Sequence, residues 1–139
     1  MDKLFVDTDV FIDFLTNRKP HIEYSGKIFE LADEGRIKIY TSVLSISNIH
    51  YICRKVLGGT KSLEVIQELL GLIEIQSMGK QEVISALESD FSNFEDALQH
   101  TSSKTIKGCL AIITRNVKDY RKADLPVFTP EIYVKMLQT

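Results

Sequence analysis

Asp7 and Asp9 stand two residues apart in the stretch LFVDTDVFIDFL, where three apolar residues run straight into the first carboxylate. Two acids at the end of a buried strand repel one another unless a helix N-terminus or a cation offsets their charge. Further acids follow in two distant places. SDFSNFEDALQ carries Asp90, Glu95 and Asp96, and TRNVKD, after the apolar CLAII, carries Thr114, Arg115, Asn116 and Asp119. Carboxylates from separate segments facing one cleft require a divalent cation. An all-oxygen donor set with room for water suits Mg2+ or Mn2+, ions that serve sites moving phosphoryl groups. Each residue also has a plainer reading. Asp7 fits a turn or capping carboxylate, Asp9 is expected as the N-cap of the following helix, and Asp13 is expected on that helix's solvated polar face. Asp96 fits a first-turn carboxylate behind an Asn93 cap, and Thr114, Asn116 and Asp119 fit a polar turn after a strand.

The elements that must position these groups follow from periodicity. Residues 3–7 read as a short buried strand, and Val10, Phe11, Phe14 and Leu15 share one face of a helix over 10–17. A second helix over about 21–34 stops at Gly35. RIKIYTS alternates with period two, and Ser45 is expected to open a third helix that carries Ile46, Ile49, Ile52, Cys53 and Val56 inward and ends at Gly58–Gly59. Ser62 is expected to cap a helix through about 71, followed by the strand LIEIQSM and helices over roughly 80–88 and 93–104. CLAIIT is the last strongly apolar strand, and Thr129–Pro130 after LPVF opens a closing helix that runs to the end. Strands alternating with helices imply an α/β fold: a mostly parallel sheet covered on both faces by right-handed crossovers. Ligands in such sheets sit beyond the carboxyl ends of the strands, where Asp7 and TRNVKD both fall.

A chain of 139 residues with 44% hydrophobic content suits one domain over 1–139. No apolar run approaches the ~18 residues of a membrane span and no signal sequence is visible, so a cytoplasmic protein without membrane contact is expected. Cys53 and Cys109 lie in apolar stretches without metal-ligand spacing and read as buried reduced thiols. The net charge of −2 gives no global attraction to nucleic acid, so polyanion binding would rest on a local patch or a bound cation.

In the order and spacing of FVDTDVFIDFL, TSVLSISNIHYI, NFEDAL and IITRNVKDYRKADLPVFTPEIYVKML, the sequence resembles the PIN domain, the fold of VapC-type toxins of bacterial toxin-antitoxin pairs and of other metal-dependent RNA-cleaving nucleases. The resemblance covers nearly the whole chain. It implies a three-layer α/β/α, Rossmann-like architecture with four to five strands, and an endoribonuclease that leaves a 5'-phosphate. It also implies a homodimer and an antitoxin partner that covers the site. Carried over by position, Asp7 and Asp96 fill two acidic roles around the metal, and Asp119, with Asn116 as an orienting group or an alternative, fills the last. Thr114 matches a hydroxyl that holds an aspartate or water, and Asp90 is a supporting acid. The remaining role usually falls to Glu and here falls to Asn48, which can offer a carbonyl oxygen to a cation but neither charge nor proton acceptance, with Asp90 or Glu95 as sources of the missing charge. His50, some 200° round the helix from Asn48, is left outside the site. The metal set implied is therefore Asp7, Asp96, Asp119 and Asn48. RNA contact falls to Arg115, with Arg18, Lys19, Arg54 and Lys55 as further cations.

Two other readings remain. A PIN-like module without catalysis, gripping RNA or protein, is consistent with Asn48. The Asp-x-Asp of haloacid-dehalogenase-like phosphatases is also satisfied by Asp7 and Asp9, but IITRN lacks the Lys those enzymes use after a later strand.

Overall fold

Consecutive side chains of the first strand, β1 (Asp2–Val6), leave on opposite faces, and both faces are covered: Leu4 and Val6 enter one apolar cluster and Phe5 another. The computed structural model describes residues 1–138. After β1 come α1 (Thr8–Leu15), α2 (Ile22–Asp33), β2 (Ile37–Ser42), α3 (Val43–Leu57), α4 (Gly59–Leu69), β3 (Ile73–Gln76), α5 (Lys80–Leu87) and α6 (Phe94–Lys104). The chain then forms β4 (Cys109–Ile113), a 3-10 turn at Val117–Tyr120, β5 (Val127–Phe128) and α7 (Pro130–Leu137).

Every strand pair is parallel, in the order β3-β2-β1-β4-β5, so each return to the sheet passes through a crossover. The three-layer, mostly parallel sheet expected from the sequence is present, with all five strands parallel. The larger cluster joins Leu4, Val6, Ile39, Ala111 and Ile113 to Phe11, Ile28, Ile49 and Tyr133. The smaller one, on the opposite face, joins Phe5, Ile112, Ile106 and Tyr120. The chain first steps outward from β1 through β2 to β3 and then returns to lay β4 on the other side of β1. That reversal opens a crevice at the carboxyl ends of β1 and β4, where ligands bind in sheets of this kind.

Local chemistry accounts for most of the boundaries. Gly35, at φ 73°, and Gly58, at φ 86°, take the left-handed turns that end α2 and α3. Asn93 caps α6 by accepting from the Asp96 amide at 3.0 Å, and Thr129 caps α7 in the same way through Ile132, as the sequence indicates.

Several expectations are corrected. Asp7, not Asp9, caps α1, which begins two residues earlier than read. Ser42, not Ser45, caps α3: its hydroxyl accepts from the Ser45 amide, and Ser45 is buried inside the first turn. Ser62 is no cap but the fourth residue of α4, buried against His50 with Oγ 2.9 Å from Nδ1. Ile52 and Val56 face outward at 37% and 64% exposure, because α4 covers only one side of α3. Cys53 is a buried free thiol, whereas Cys109 is only half-buried. The closing helix ends at Leu137, and the part of that reading on residue 139 lies outside the described residues.

Candidate active site

Asp7 follows the last residue of β1 and is fixed from several sides. Its amide continues the β1–β4 ladder by donating to the Ile113 carbonyl at 2.9 Å. Its Oδ1 accepts from the Thr8 amide at 2.9 Å and from Gln99 Nε2 at 3.4 Å, and its Oδ2 accepts from Thr114 Oγ1 at 2.9 Å. Gln99 is itself wholly buried and bound: Nε2 donates to Ser45 Oγ at 2.6 Å and Oε1 accepts from Ser42 at 2.5 Å. Thr114, the sequence-predicted supporting hydroxyl, is buried at the end of β4 within hydrogen-bond reach of Asp7. Burial raises the Asp7 pKa above the ordinary carboxylate value, against the lowering effect of these hydrogen bonds.

Asp9 lies in the first turn of α1 and points to the same place. Its Oδ2 accepts from the Arg115 amide at 3.0 Å, Asn116 Nδ2 at 3.3 Å and Thr114 Oγ1 at 3.4 Å. Its Oδ1 is buried and has no hydrogen-bond partner among the described residues. Burial, then the neighbouring Asp7 charge, pushes its pKa up to about 7. This is the site residue that sequence reasoning missed. The signal was present in the Asp7–Asp9 pair, but Asp9 had been assigned the capping role that Asp7 performs.

Asp96, in the first turn of α6, completes the cluster from the opposite side. Partial burial pushes its pKa to about 6, followed by the charges of Asp7, Asp119 and Glu95. The buried Tyr120 hydroxyl has no hydrogen-bond partner of good geometry, and burial followed by the Asp7 and Asp96 charges raises its pKa, so the phenol stays protonated. Asp119 is exposed on the 3-10 turn, near enough to act on Asp96 electrostatically. Asn48 on α3 donates from Nδ2 to Glu95 Oε1 at 2.5 Å, so a carboxylate stands beside this amide. Asp90 is exposed and lines a cavity of about 290 Å³ with Asp96 and Asp119.

Arg115 is engaged elsewhere. Its Nε and Nη2 grip Asp13 Oδ2 and Oδ1 at 2.6 and 3.3 Å. Asp13, expected on a solvated face, is 1% exposed and lies 3.8 Å from Arg18 as well. The correction has a physical cause: α1 is covered on its polar side by the loop after β4, and the guanidinium fork makes a buried carboxylate tolerable.

The donor set fits a hard divalent cation. Asp7, Asp9 and Asp96 are all oxygen donors with raised pKa values, and among the described residues none makes an ion pair with Lys, Arg or His. The buried, unpartnered Asp9 Oδ1 is an acceptor without a donor. Among the described residues no three His, Cys, Asp or Glu side chains are drawn close enough to enclose an ion by themselves. Mg2+ keeps several waters and is bound through only one or two carboxylates, which this set can supply.

Known proteins share this fold. The family model for the PIN domain matches residues 3–118. Ribonuclease VapC1 of Aquifex aeolicus (strain VF5) is 29% identical over 143 residues, covering 99% of this chain and 97% of the relative. Among solved structures, a toxin-antitoxin complex from Klebsiella pneumoniae has a chain that superposes with a TM-score of 0.67 at 19% identity, covering 91% of this chain and 97% of its own. VapBC2 from Rickettsia felis, bound to a DNA fragment from its promoter, gives 0.66 at 16% identity, with 90% and 96% covered. With the family model spanning most of the length and the five parallel strands in place, the chain belongs to the PIN domain family.

Proposed function

We propose that this chain is a divalent-metal-dependent endoribonuclease, the toxin of a toxin-antitoxin pair, acting in the cytoplasm as a homodimer restrained by an antitoxin. The observation that carries the reading is the convergence of Asp7, Asp9 and Asp96 on the crevice between β1 and β4 without a cationic partner. The likeness to Ribonuclease VapC1 supports RNA as substrate, and the likeness to toxin-antitoxin complexes supports an antitoxin. Among the described residues no helix is long and apolar enough to cross a membrane.

Asp7, Asp9 and Asp96 would hold Mg2+ or Mn2+, with Asp119 and the Asn48–Glu95 pair at the rim. Such an ion neutralises the scissile phosphate and acidifies a water. The chain's own residues prepare the site. Thr114, Gln99 and the Thr8 amide fix both oxygens of Asp7, so that no reorganisation is needed when charge develops. The half-exposed Asp96 carboxylate would offer one oxygen to the cation and keep the other open to the crevice, where it can orient the attacking water. Tyr120, held protonated, leaves its hydroxyl as a donor facing the acids.

The test is cleavage of RNA by wild type and Asp7→Asn with Mn2+ or with chelator. Cleavage that requires both Mn2+ and Asp7 supports the nuclease. A second reading, a PIN-like binding module with weakened catalysis, draws on the neutral Asn48; RNA binding indifferent to Mn2+ and to Asp7, with no cleavage, would favour it.

A further inference from the structure

Four of the cations that sequence reasoning assigned to RNA are engaged with other side chains. Arg115 and Arg18 are drawn to Asp13, while Arg54 and Lys55 lie over the Tyr51 ring on the outer side of α3, at 5.0 and 4.4 Å. By contrast, Lys118, Arg121 and Lys122 fall within five residues on and just after the 3-10 turn that carries Asp119; all three are exposed, and among the described residues none has an ion pair. They line the cavity of about 290 Å³ that also holds Asp96 and Asp119. A second cavity, of about 390 Å³, continues from it, sharing Asp90, Phe91 and Lys122 and reaching Thr101 and Lys104 on α6.

Phe91 stands where the two cavities meet. Its half-buried ring lies 4.9 Å from His100 and 6.1 Å from Tyr120, the phenol that faces Asp7, so it is held from behind while part of it stays open to the cleft. Asp90 lies beside the ring and Lys104 in the second cavity is paired with Asp124 at 2.6 Å, so the cations free to meet phosphates are Lys118, Arg121 and Lys122. A fixed aromatic ring beside such cations is an arrangement that binds single-stranded nucleic acid: phosphates follow the cations and a base stacks on the ring.

We propose that one arm of a single-stranded RNA substrate leaves the acidic crevice over this cleft, its phosphates on Lys118, Arg121 and Lys122 and a base on Phe91. The proposal rests on the nuclease reading above. It also supplies what a chain of net charge −2 lacks overall, three clustered cations without ion partners among the described residues, beside the carboxylates Asp90, Asp96 and Asp119 of the same cavity.

The experiment measures binding of a short fluorescent poly(U) strand in the presence of Mg2+ by Asp7→Asn protein, across about 50 to 200 mM salt. The triple variant Lys118→Gln, Arg121→Gln, Lys122→Gln is made in that background, beside Arg54→Gln, Lys55→Gln. Three lost phosphate contacts on a single strand flatten the log–log salt dependence by roughly 2 and weaken affinity roughly 10- to 100-fold near 0.1 M salt. The Arg54/Lys55 pair is expected to change neither. Phe91→Leu is expected to lower affinity severalfold at an unchanged salt slope, because stacking releases no counterions. Unaltered slope and affinity in the triple variant, or a larger loss in the Arg54/Lys55 pair, would overturn the proposal. So would an acidic peptide that binds the patch as tightly as RNA of equal charge. Wild-type cleavage that needs Mn2+ and Asp7 while the triple variant binds normally would sink this track alone and leave the nuclease standing. Absence of both cleavage and RNA binding would sink both.

Discussion

Replacing Arg115 with Ala strands Asp13. That carboxylate is 1% exposed, takes two guanidinium bonds at 2.6 and 3.3 Å, and keeps only the half-exposed Arg18, at 3.8 Å, as a second cation. Removing one partner of a buried ion pair costs about 3–5 kcal/mol. Arg18, already 3.8 Å from Asp13, still offsets part of the stranded charge, so the loss belongs at the low end, about 3 kcal/mol. For a chain of this length about 2.1 cal/mol/K of unfolding entropy per residue makes each kcal/mol worth about 3 °C, and the expected fall in Tm is about 10 °C. Urea titration at neutral pH of Arg115→Ala, Asp13→Asn and the double variant measures it. The double variant is expected to be more stable than the sum of the single losses allows, by about 2 kcal/mol, because neither partner is left charged and alone. A loss below about 1 kcal/mol in Arg115→Ala, or strict additivity, would refute the buried pair. The outcome also governs how RNA cleavage by Arg115 variants is read, since a drop in activity would then reflect α1 losing its anchor rather than a phosphate losing a contact.

Asp9 keeps its proton to about pH 7 in the folded chain against 3.8 unfolded, so its contribution is present below the unfolded value and is lost as pH rises through about 7. In metal-free buffer Asp9→Asn is therefore expected to be more stable than wild type at pH 8, by roughly 2 kcal/mol once relaxation is allowed for, and thermal melts across pH with and without Mg2+ read the difference. His100 has the opposite sign: burial lowers its pKa below 6.5, and its Nε2 accepts from the Asp124 amide at 3.0 Å, so its stabilisation is present above 6.5 and fades as pH falls. Melts of His100→Gln are expected to lack that acid-side loss. Gln99→Leu leaves Ser42, Ser45 and Asp7 without a shared partner and is expected to lose about 2–3 kcal/mol in urea titration, with weaker Mn2+ binding because Asp7 Oδ1 loses a donor.

Elements bounded by local chemistry were legible in the sequence. Asn93 and Thr129 announce their helices, Gly35 and Gly58 end theirs, and LFV and CLAII are apolar enough to be interior strands. Asp7 and Thr114 were legible as well, because a polar residue closing an apolar strand in a parallel sheet falls at the ligand-binding edge. What failed depends on neighbours distant in sequence. Asp13 looks like a solvent-facing helix residue until Arg115, 102 positions away, folds over it. Ile52 and Val56 fit an inward stripe, yet among the described residues no element covers them on that side of α3. The Asp7–Asp9 assignment turned on where α1 begins, a shift of two residues that periodicity does not resolve.

Calorimetric titration of Mn2+ into metal-free wild type, Asp7→Asn, Asp9→Asn and Asp96→Asn at pH 7.5 bears on the acidic crevice more directly than any assay of RNA. Saturable binding by wild type is expected, with a loss of roughly tenfold or more for each of the three variants, since every one removes a charged oxygen donor from the same ion. Heats that do not saturate in wild type, or variants that bind as tightly as their parent, would contradict a shared cation between β1 and β4.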